Sequence, residues 1–64
     1  MAGKKILIVE NEVMLVDLIQ IRLEASGYEI EKAYDGFEGL VKAEKTRPDL
    51  IILDIGMEGM DGFT

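Results

Sequence analysis

The 64-residue sequence predicts an α/β fold in which three strands alternate with two helices. Residues 5–9 and 50–53 form short apolar runs without polar alternation, the pattern of strands covered on both faces in a parallel sheet. Between these runs, apolar side chains recur at helical spacing in two stretches, separated by residues 28–31, which alternate with period two. The predicted order is βαβαβ, and right-handed crossovers place the third strand beside the first, giving the order 2-1-3.

The first helix is predicted from about Glu12 to Ser26, followed by Gly27 where a helix end needs left-handed backbone. Its buried stripe is expected to contain Leu15, Leu18, Ile19 and Leu23, widened by Met14, Ile21 and Ala25. The alternation after Gly27 suits an edge strand with one solvated face.

Asp35, followed three residues later by Glu38, predicts a reciprocal cap for a second helix that begins near Gly36. This helix should stop before Arg47, because the residue preceding Pro48 is biased away from helical backbone. Its buried stripe is expected to contain Phe37, Leu40 and Val41. Residues 55–60 are predicted as a loop, and Asp61 as the cap of a third helix that residues 62–64 begin.

Composition limits the functions that the chain can perform. Residues 1–64 allow at most one small domain, near the lower size limit for folding without outside help, and there is no cysteine to staple it. The net charge of -6 and the pI near 4.4 argue against binding to nucleic acid or to anionic membranes. No apolar run is long enough to span a bilayer and no signal-peptide pattern is present, so a cytoplasmic location is expected.

Acidic side chains end both apolar strands. Asp54 closes the third strand, and Glu10, Asn11 and Glu12 follow the first. Because neighbouring parallel strands end at the same edge, where open α/β sheets bind ligands, this cluster predicts a divalent-cation site. A plainer interpretation remains open: Asp54 caps the loop after its strand, and the earlier residues satisfy the start of a helix.

Four motifs in order resemble the receiver domain of bacterial two-component response regulators. They are Ile6-Leu7-Ile8-Val9-Glu10-Asn11-Glu12, Ala33-Tyr34-Asp35-Gly36, Pro48-Asp49-Leu50-Ile51-Ile52-Leu53-Asp54 and Gly59-Met60-Asp61-Gly62. The resemblance implies a flavodoxin-like half-domain in which Asp54 accepts a phosphoryl group from a histidine kinase. It also implies that Glu10, Asn11, Asp54 and the backbone carbonyl of Gly56 hold Mg²⁺, and that the chain is not itself an enzyme.

Three departures from the family pattern qualify this expectation. Asn11 stands where receivers usually carry Asp, which should weaken Mg²⁺ binding, and Glu58 replaces a common proline. The sequence ends at Thr64, about halfway through a receiver domain, so impaired phosphotransfer is expected.

A non-catalytic interaction module, or an engineered half-domain with a vestigial Asp54, is therefore the alternative. A flavin or nucleotide binder has little support, because no glycine-rich phosphate loop follows the first strand. The exposed apolar third strand predicts a homodimer, formed by pairing of third strands or by exchange of elements.

Overall fold

The computed structural model describes residues 3–53, which form a three-stranded parallel sheet and two helices. The elements are β1 (Lys5–Val9), α1 (Val13–Ala25), β2 (Glu29–Ala33), α2 (Gly36–Thr46) and β3 (Leu50–Leu53). The strand order β2-β1-β3 confirms the predicted topology. The loop predicted at residues 55–60 and the third helix start at Asp61 lie outside the described residues.

Strand β1 is the centre of the fold. It pairs in parallel with β2 from Lys5 opposite Glu29, and with β3 from Ile6 opposite Leu50. Its apolar side chains are buried and alternate between two layers. Leu7 and Val9 join Ala33 and Ala43 on the side of α2, whereas Ile6 and Ile8 join Val16, Ile19, Leu23 and other side chains on the side of α1.

Helix α1 packs on the sheet through a narrower surface than its apolar pattern predicts. Val16 is fully buried, and Ile19 and Leu23 pack against the same cluster. The prediction of a wide buried stripe on α1 is wrong, because five of its members are exposed: Met14, Leu15, Leu18, Ile21 and Ala25. The predicted stripe also omits the buried Val16. A helix touches a sheet along one row of side chains spaced three to four residues apart, and these three residues occupy that row.

Helix α2 contacts the sheet through small residues. Gly39 is buried, and a Cβ added there would lie 2.9 Å from Cγ2 of Val9, closer than atoms normally approach. Ala43, one turn later, packs against the same cluster. The predicted buried stripe of Phe37, Leu40 and Val41 is wrong, because all three are exposed. Small residues let the helix lie close to β1 and leave the larger side chains at its flanks.

The limits of α2 follow the predicted capping chemistry. The carboxylate of Asp35 accepts a hydrogen bond from the Glu38 N–H at 2.8 Å. The Glu38 carboxylate reaches back to the Tyr34 N–H at 2.9 Å, one residue earlier than the predicted reciprocal cap requires. The helix ends at Thr46, and Arg47 adopts left-handed backbone with φ of 50° before Pro48.

Strand β3 forms one edge of the described sheet. Leu50, Ile51 and Leu53 are exposed, which confirms the predicted apolar edge among residues 3–53. In that same range, neither helix has the length and apolar character required to cross a membrane.

Candidate functional site

Glu10 is the buried acidic residue at the carboxyl end of the central strand. Its backbone N–H donates to the carbonyl of Ala33 at 3.0 Å, which extends the pairing of β1 with β2 by one residue. Only 5% of Glu10 is exposed. A carboxylate at this depth requires polar partners, since a buried charge without them is costly.

One partner of the Glu10 carboxylate is the start of α1. Its Oε2 atom accepts a hydrogen bond from the Glu12 N–H at 2.9 Å. Glu12 is the N-cap residue, but its own side chain makes no capping hydrogen bond, so a capping role for the Glu12 carboxylate is wrong. Glu10 therefore places a negative charge beside the amino end of α1, where the helix dipole favours it.

Asn11 remains a candidate ligand beside this buried carboxylate, whereas Asp35 has a structural role. Asn11 lies between Glu10 and the N-cap Glu12 in the chain and is exposed, and its side chain carries an amide oxygen of the kind that binds cations. Asp35 caps α2, which confirms its structural interpretation. The site residues that the structure describes are therefore Glu10 and Asn11.

The register of the sheet relates the end of β1 to the end of β3. Val9 pairs with Leu53, and these residues are the last of their strands. In the sequence, Glu10 follows Val9 and Asp54 follows Leu53. Asp54 and Gly56 lie outside the described residues, as does Glu58.

Two open grooves flank β3, and neither touches Glu10 or Asn11 among the residues the structure describes. The α1-side groove, of about 360 Å³, is lined by Lys4, Ile6, Leu23, Tyr28, Asp49 and β3 residues. The α2-side groove, of about 320 Å³, is lined chiefly by Val9, Leu40, Ala43, Ile51 and Leu53. Residues 3–53 contain no group of three or more His, Cys, Asp or Glu side chains that is arranged to hold a metal ion.

The sequence and the fold both match a known family. The model of the response regulator receiver domain matches residues 6–64. The chain is 51% identical over 61 residues to the alkaline phosphatase synthesis transcriptional regulatory protein PhoP of Bacillus subtilis. It is 42% identical over 60 residues to the DNA-binding dual master transcriptional regulator RpaA of Synechocystis. These matches cover 95% and 94% of the chain and 25% of each relative.

A solved structure shows the same fold. The chemotaxis response regulator CheY4 of Vibrio cholerae superposes with a TM-score of 0.86 at 40% sequence identity. The match covers 97% of this chain and 52% of the CheY4 chain. The chain belongs to the receiver domain family of two-component response regulators, with the flavodoxin-like fold, and spans about half of CheY4 and a quarter of the two curated relatives.

Proposed function

We propose that Asp54 is the phosphoacceptor of this receiver domain. The observation that supports it most directly is the pairing of Val9 with Leu53, because the residues that follow them in the sequence are Glu10 and Asp54. Buried Glu10 supplies acidic character at the carboxyl end of the sheet, which is where open α/β folds bind ligands.

The proposed reaction is transfer of a phosphoryl group from a phosphohistidine of a histidine kinase. A carboxylate oxygen of Asp54 attacks phosphorus, the phosphorus–nitrogen bond breaks, and the imidazole leaves with the electron pair and takes up a proton. The product is an acyl phosphate. The chain is the acceptor in this reaction, and we propose no enzymatic activity of its own.

The donor set suits Mg²⁺, which prefers oxygen ligands and keeps several waters. Glu10, Asn11 and Asp54, with the backbone carbonyl of Gly56, would hold the ion, and it would offset repulsion between the phosphoryl oxygens and the acceptor carboxylate. Exposed Asn11 provides a neutral oxygen in place of a carboxylate. We therefore propose that Mg²⁺ binds weakly and that phosphotransfer to the 64-residue chain is impaired.

Nucleic acid is not a proposed partner of these 64 residues. RpaA is named as DNA-binding, but the match spans only 25% of that protein. The net charge of -6 disfavours contact with a phosphate backbone. We propose that the chain acts in the cytoplasm as a signalling module, in keeping with its family.

Beryllofluoride, which mimics the acyl phosphate, tests the phosphoacceptor proposal. Added with Mg²⁺, it should shift the amide resonances of Glu10 and Asn11, and Asp54→Asn should abolish the shifts. Asp17→Asn is the matched control, because it removes the same charge from an exposed position on α1. Identical shifts in the Asp54→Asn variant, or none in the unaltered chain, would contradict the proposal.

A second candidate function is self-association without phosphotransfer. The exposed apolar side chains of β3 favour it, because an exposed apolar edge strand is a template for pairing with another chain. Two copies joined at this edge, or exchanging elements, would form a homodimer. Sedimentation over a range of protein concentration separates this candidate from a monomeric receiver.

A further inference from the structure

We infer that Glu38 of α2 is a positioning residue for the acidic site, because its carboxylate holds the peptide group on which Glu10 is anchored. The inference rests on the proposed function, in which Glu10 is one of the residues that hold Mg²⁺. It follows from the hydrogen bonds at the carboxyl end of β2, all of which lie within residues 3–53.

The peptide group that joins Ala33 to Tyr34 is hydrogen-bonded on both sides. Its carbonyl, on Ala33, accepts from the Glu10 N–H at 3.0 Å, and its N–H, on Tyr34, donates to Oε1 of Glu38 at 2.9 Å. The group is trans, so its C=O and N–H lie in one plane and point in opposite directions. Glu10 and Glu38 therefore bind opposite sides of one rigid group, and a tilt of that group moves the acceptor away from the Glu10 N–H.

The partner of the Glu38 carboxylate distinguishes this contact from an ordinary helix cap. In a reciprocal capping box, this carboxylate would bond to the N–H of the cap residue itself, which is Asp35. It bonds instead to the N–H of Tyr34, the residue before the cap. Asp35 supplies the cap, since its carboxylate accepts from the Glu38 N–H. The Glu38 side chain is therefore directed to the end of β2 and not to the first turn of α2.

Lys42 supports the Glu38 carboxylate from the next turn of α2. Its ammonium group lies 3.9 Å from Oε2 of Glu38 and donates to the carbonyl of Lys32 at 2.7 Å. Because both charged side chains are partly exposed, the ion pair alone contributes little. The two residues together contact successive backbone groups on the outer side of β2, the Lys32 carbonyl and the Tyr34 N–H. Helix α2 thus fixes the end of β2 from the side opposite to β1.

Glu10 depends on this peptide group for its position. Strand β1 ends at Val9, and the bond from the Glu10 N–H to Ala33 extends the pairing by one residue. Glu10 is buried, and its Oε2 atom accepts from the Glu12 N–H at 2.9 Å, so the carboxylate has a defined place beside α1. A charged acceptor at the far side of the peptide also polarises it and strengthens its carbonyl as an acceptor. Loss of the Glu38 carboxylate should therefore loosen Glu10 and weaken cation binding.

Amide hydrogen exchange of the metal-free chain tests the positioning of Glu10. Glu38→Ala should speed exchange of the Glu10 amide about tenfold relative to the Ile8 amide, because its peptide partner loses a bond to a charged acceptor. Ile8 is the internal reference, since backbone direction alternates along β1 and the Ile8 amide also points toward β2. Glu38→Gln keeps a side-chain oxygen as acceptor and should restore most of the protection.

Two control variants separate positioning from helix stability. Asp35→Ala removes the cap of α2 but leaves the Glu38 carboxylate in place, so it should not change the ratio of the two exchange rates. Glu44→Ala makes the same substitution at an exposed position of α2 and should also leave the ratio unchanged. An unchanged ratio in Glu38→Ala, or an equal rise in Asp35→Ala, would overturn the inference.

Calorimetric titration with Mg²⁺ tests whether the position of Glu10 determines cation affinity. Glu38→Ala should raise the dissociation constant of Mg²⁺ about tenfold, the lower end of what is usual for residues that orient a metal ligand. Glu38→Gln and Glu44→Ala should bind Mg²⁺ nearly as well as the unaltered chain. Equal affinity in Glu38→Ala and the unaltered chain would overturn the inference and leave the proposed function intact. No binding of Mg²⁺ by the unaltered chain would overturn the proposed cation site, and with it the inference.

Discussion

The two edges of the described sheet flank the same central strand and are built in opposite ways. On the β2 edge the Glu29 N–H donates to the Lys4 carbonyl, so the backbone of Ile30 and Lys32 points outward. The outward carbonyl of Lys32 accepts a hydrogen bond from the ammonium group of Lys42 at 2.7 Å. On the β2 edge, the outward Lys32 carbonyl is therefore occupied by a side chain from α2.

Two ion pairs also hold the Lys42 ammonium group at the β2 edge. The Lys42 ammonium lies 3.8 Å from the carboxylate of Glu31 and 3.9 Å from that of Glu38. Charged side chains on an edge strand discourage pairing with another chain. Strand β3 consists of Leu-Ile-Ile-Leu, and both helices lie closer to β2 than to β3. Within residues 3–53, the β2 edge therefore carries charged side chains, whereas the β3 edge is apolar and exposed.

The largest effect on stability is expected from a change in how α2 packs over β1 and β2. Gly39→Ala should lower the free energy of unfolding by about 2 kcal/mol, because the added methyl group meets Val9 and forces α2 away from β1. Gly36→Ala is the matched control, since a Cβ there meets no neighbour within 4 Å. Urea denaturation at fixed protein concentration measures both, and equal losses would contradict the close approach of α2.

Asn11→Asp tests cation binding at the edge of the sheet where β1 and β3 both end. A second carboxylate beside Glu10 should tighten Mg²⁺ binding about tenfold, through added charge at an exposed position. Isothermal calorimetry measures the affinity, and Asn11→Ser, which keeps a neutral oxygen, provides the comparison. Unchanged affinity in Asn11→Asp would exclude residue 11 as a determinant of cation binding.

The cap of α2 is expected to contribute a smaller amount. Asp35→Ala should cost about 1 kcal/mol, because the Glu38 N–H loses its acceptor at the start of the helix that covers β2. Asp35→Ser retains a side-chain oxygen and should recover most of this loss. Thermal denaturation followed by circular dichroism measures both variants, and a Ser variant as unstable as Ala would show that the cap is not the cause.

Removal of the Lys42 ammonium group from the β2 edge should have the smallest effect on stability. Lys42→Met keeps the apolar stem and removes the ammonium group, at a cost of about 0.5 kcal/mol, because Lys42 is about one-third exposed and its ion pairs are solvated. Lys45→Met changes the net charge equally without removing a hydrogen bond to β2. A loss as large for Lys45→Met would indicate that net charge, not the edge contact, is responsible.

Much of this fold can be predicted from local chemistry. The apolar run of β1, the left-handed turn after α1 and the Asp35 cap each depend on residues close in sequence, and all appear in the structure. The strand order follows from the handedness of crossovers, which is a general property of parallel sheets. The burial of helix side chains is harder to predict, because it depends on the distance between each helix and the sheet.

The limits of prediction are clearest at particular contacts. Gly39 brings α2 so close to Val9 that small residues, and not Leu40, form the contact. The hydrogen bond from Lys42 to Lys32 joins residues ten positions apart and depends on where α2 lies over β2, which no local pattern encodes. The placement of Glu10 could be predicted because it requires only strand order and strand ends, whereas its hydrogen bond to Glu12 required the structure.

Hydrogen exchange of the edge amides, measured by NMR at low and high protein concentration, tests the contrast between the two edges most directly. If two copies pair at β3, the Leu50 and Ile52 amides should become protected as the protein concentration rises, while the outward amides of Ile30 and Lys32 should exchange rapidly throughout. Ile51, which bonds to β1, should stay protected at both concentrations. Exchange of Leu50 and Ile52 as fast as that of Ile30 and Lys32 at every concentration would contradict an interface at β3.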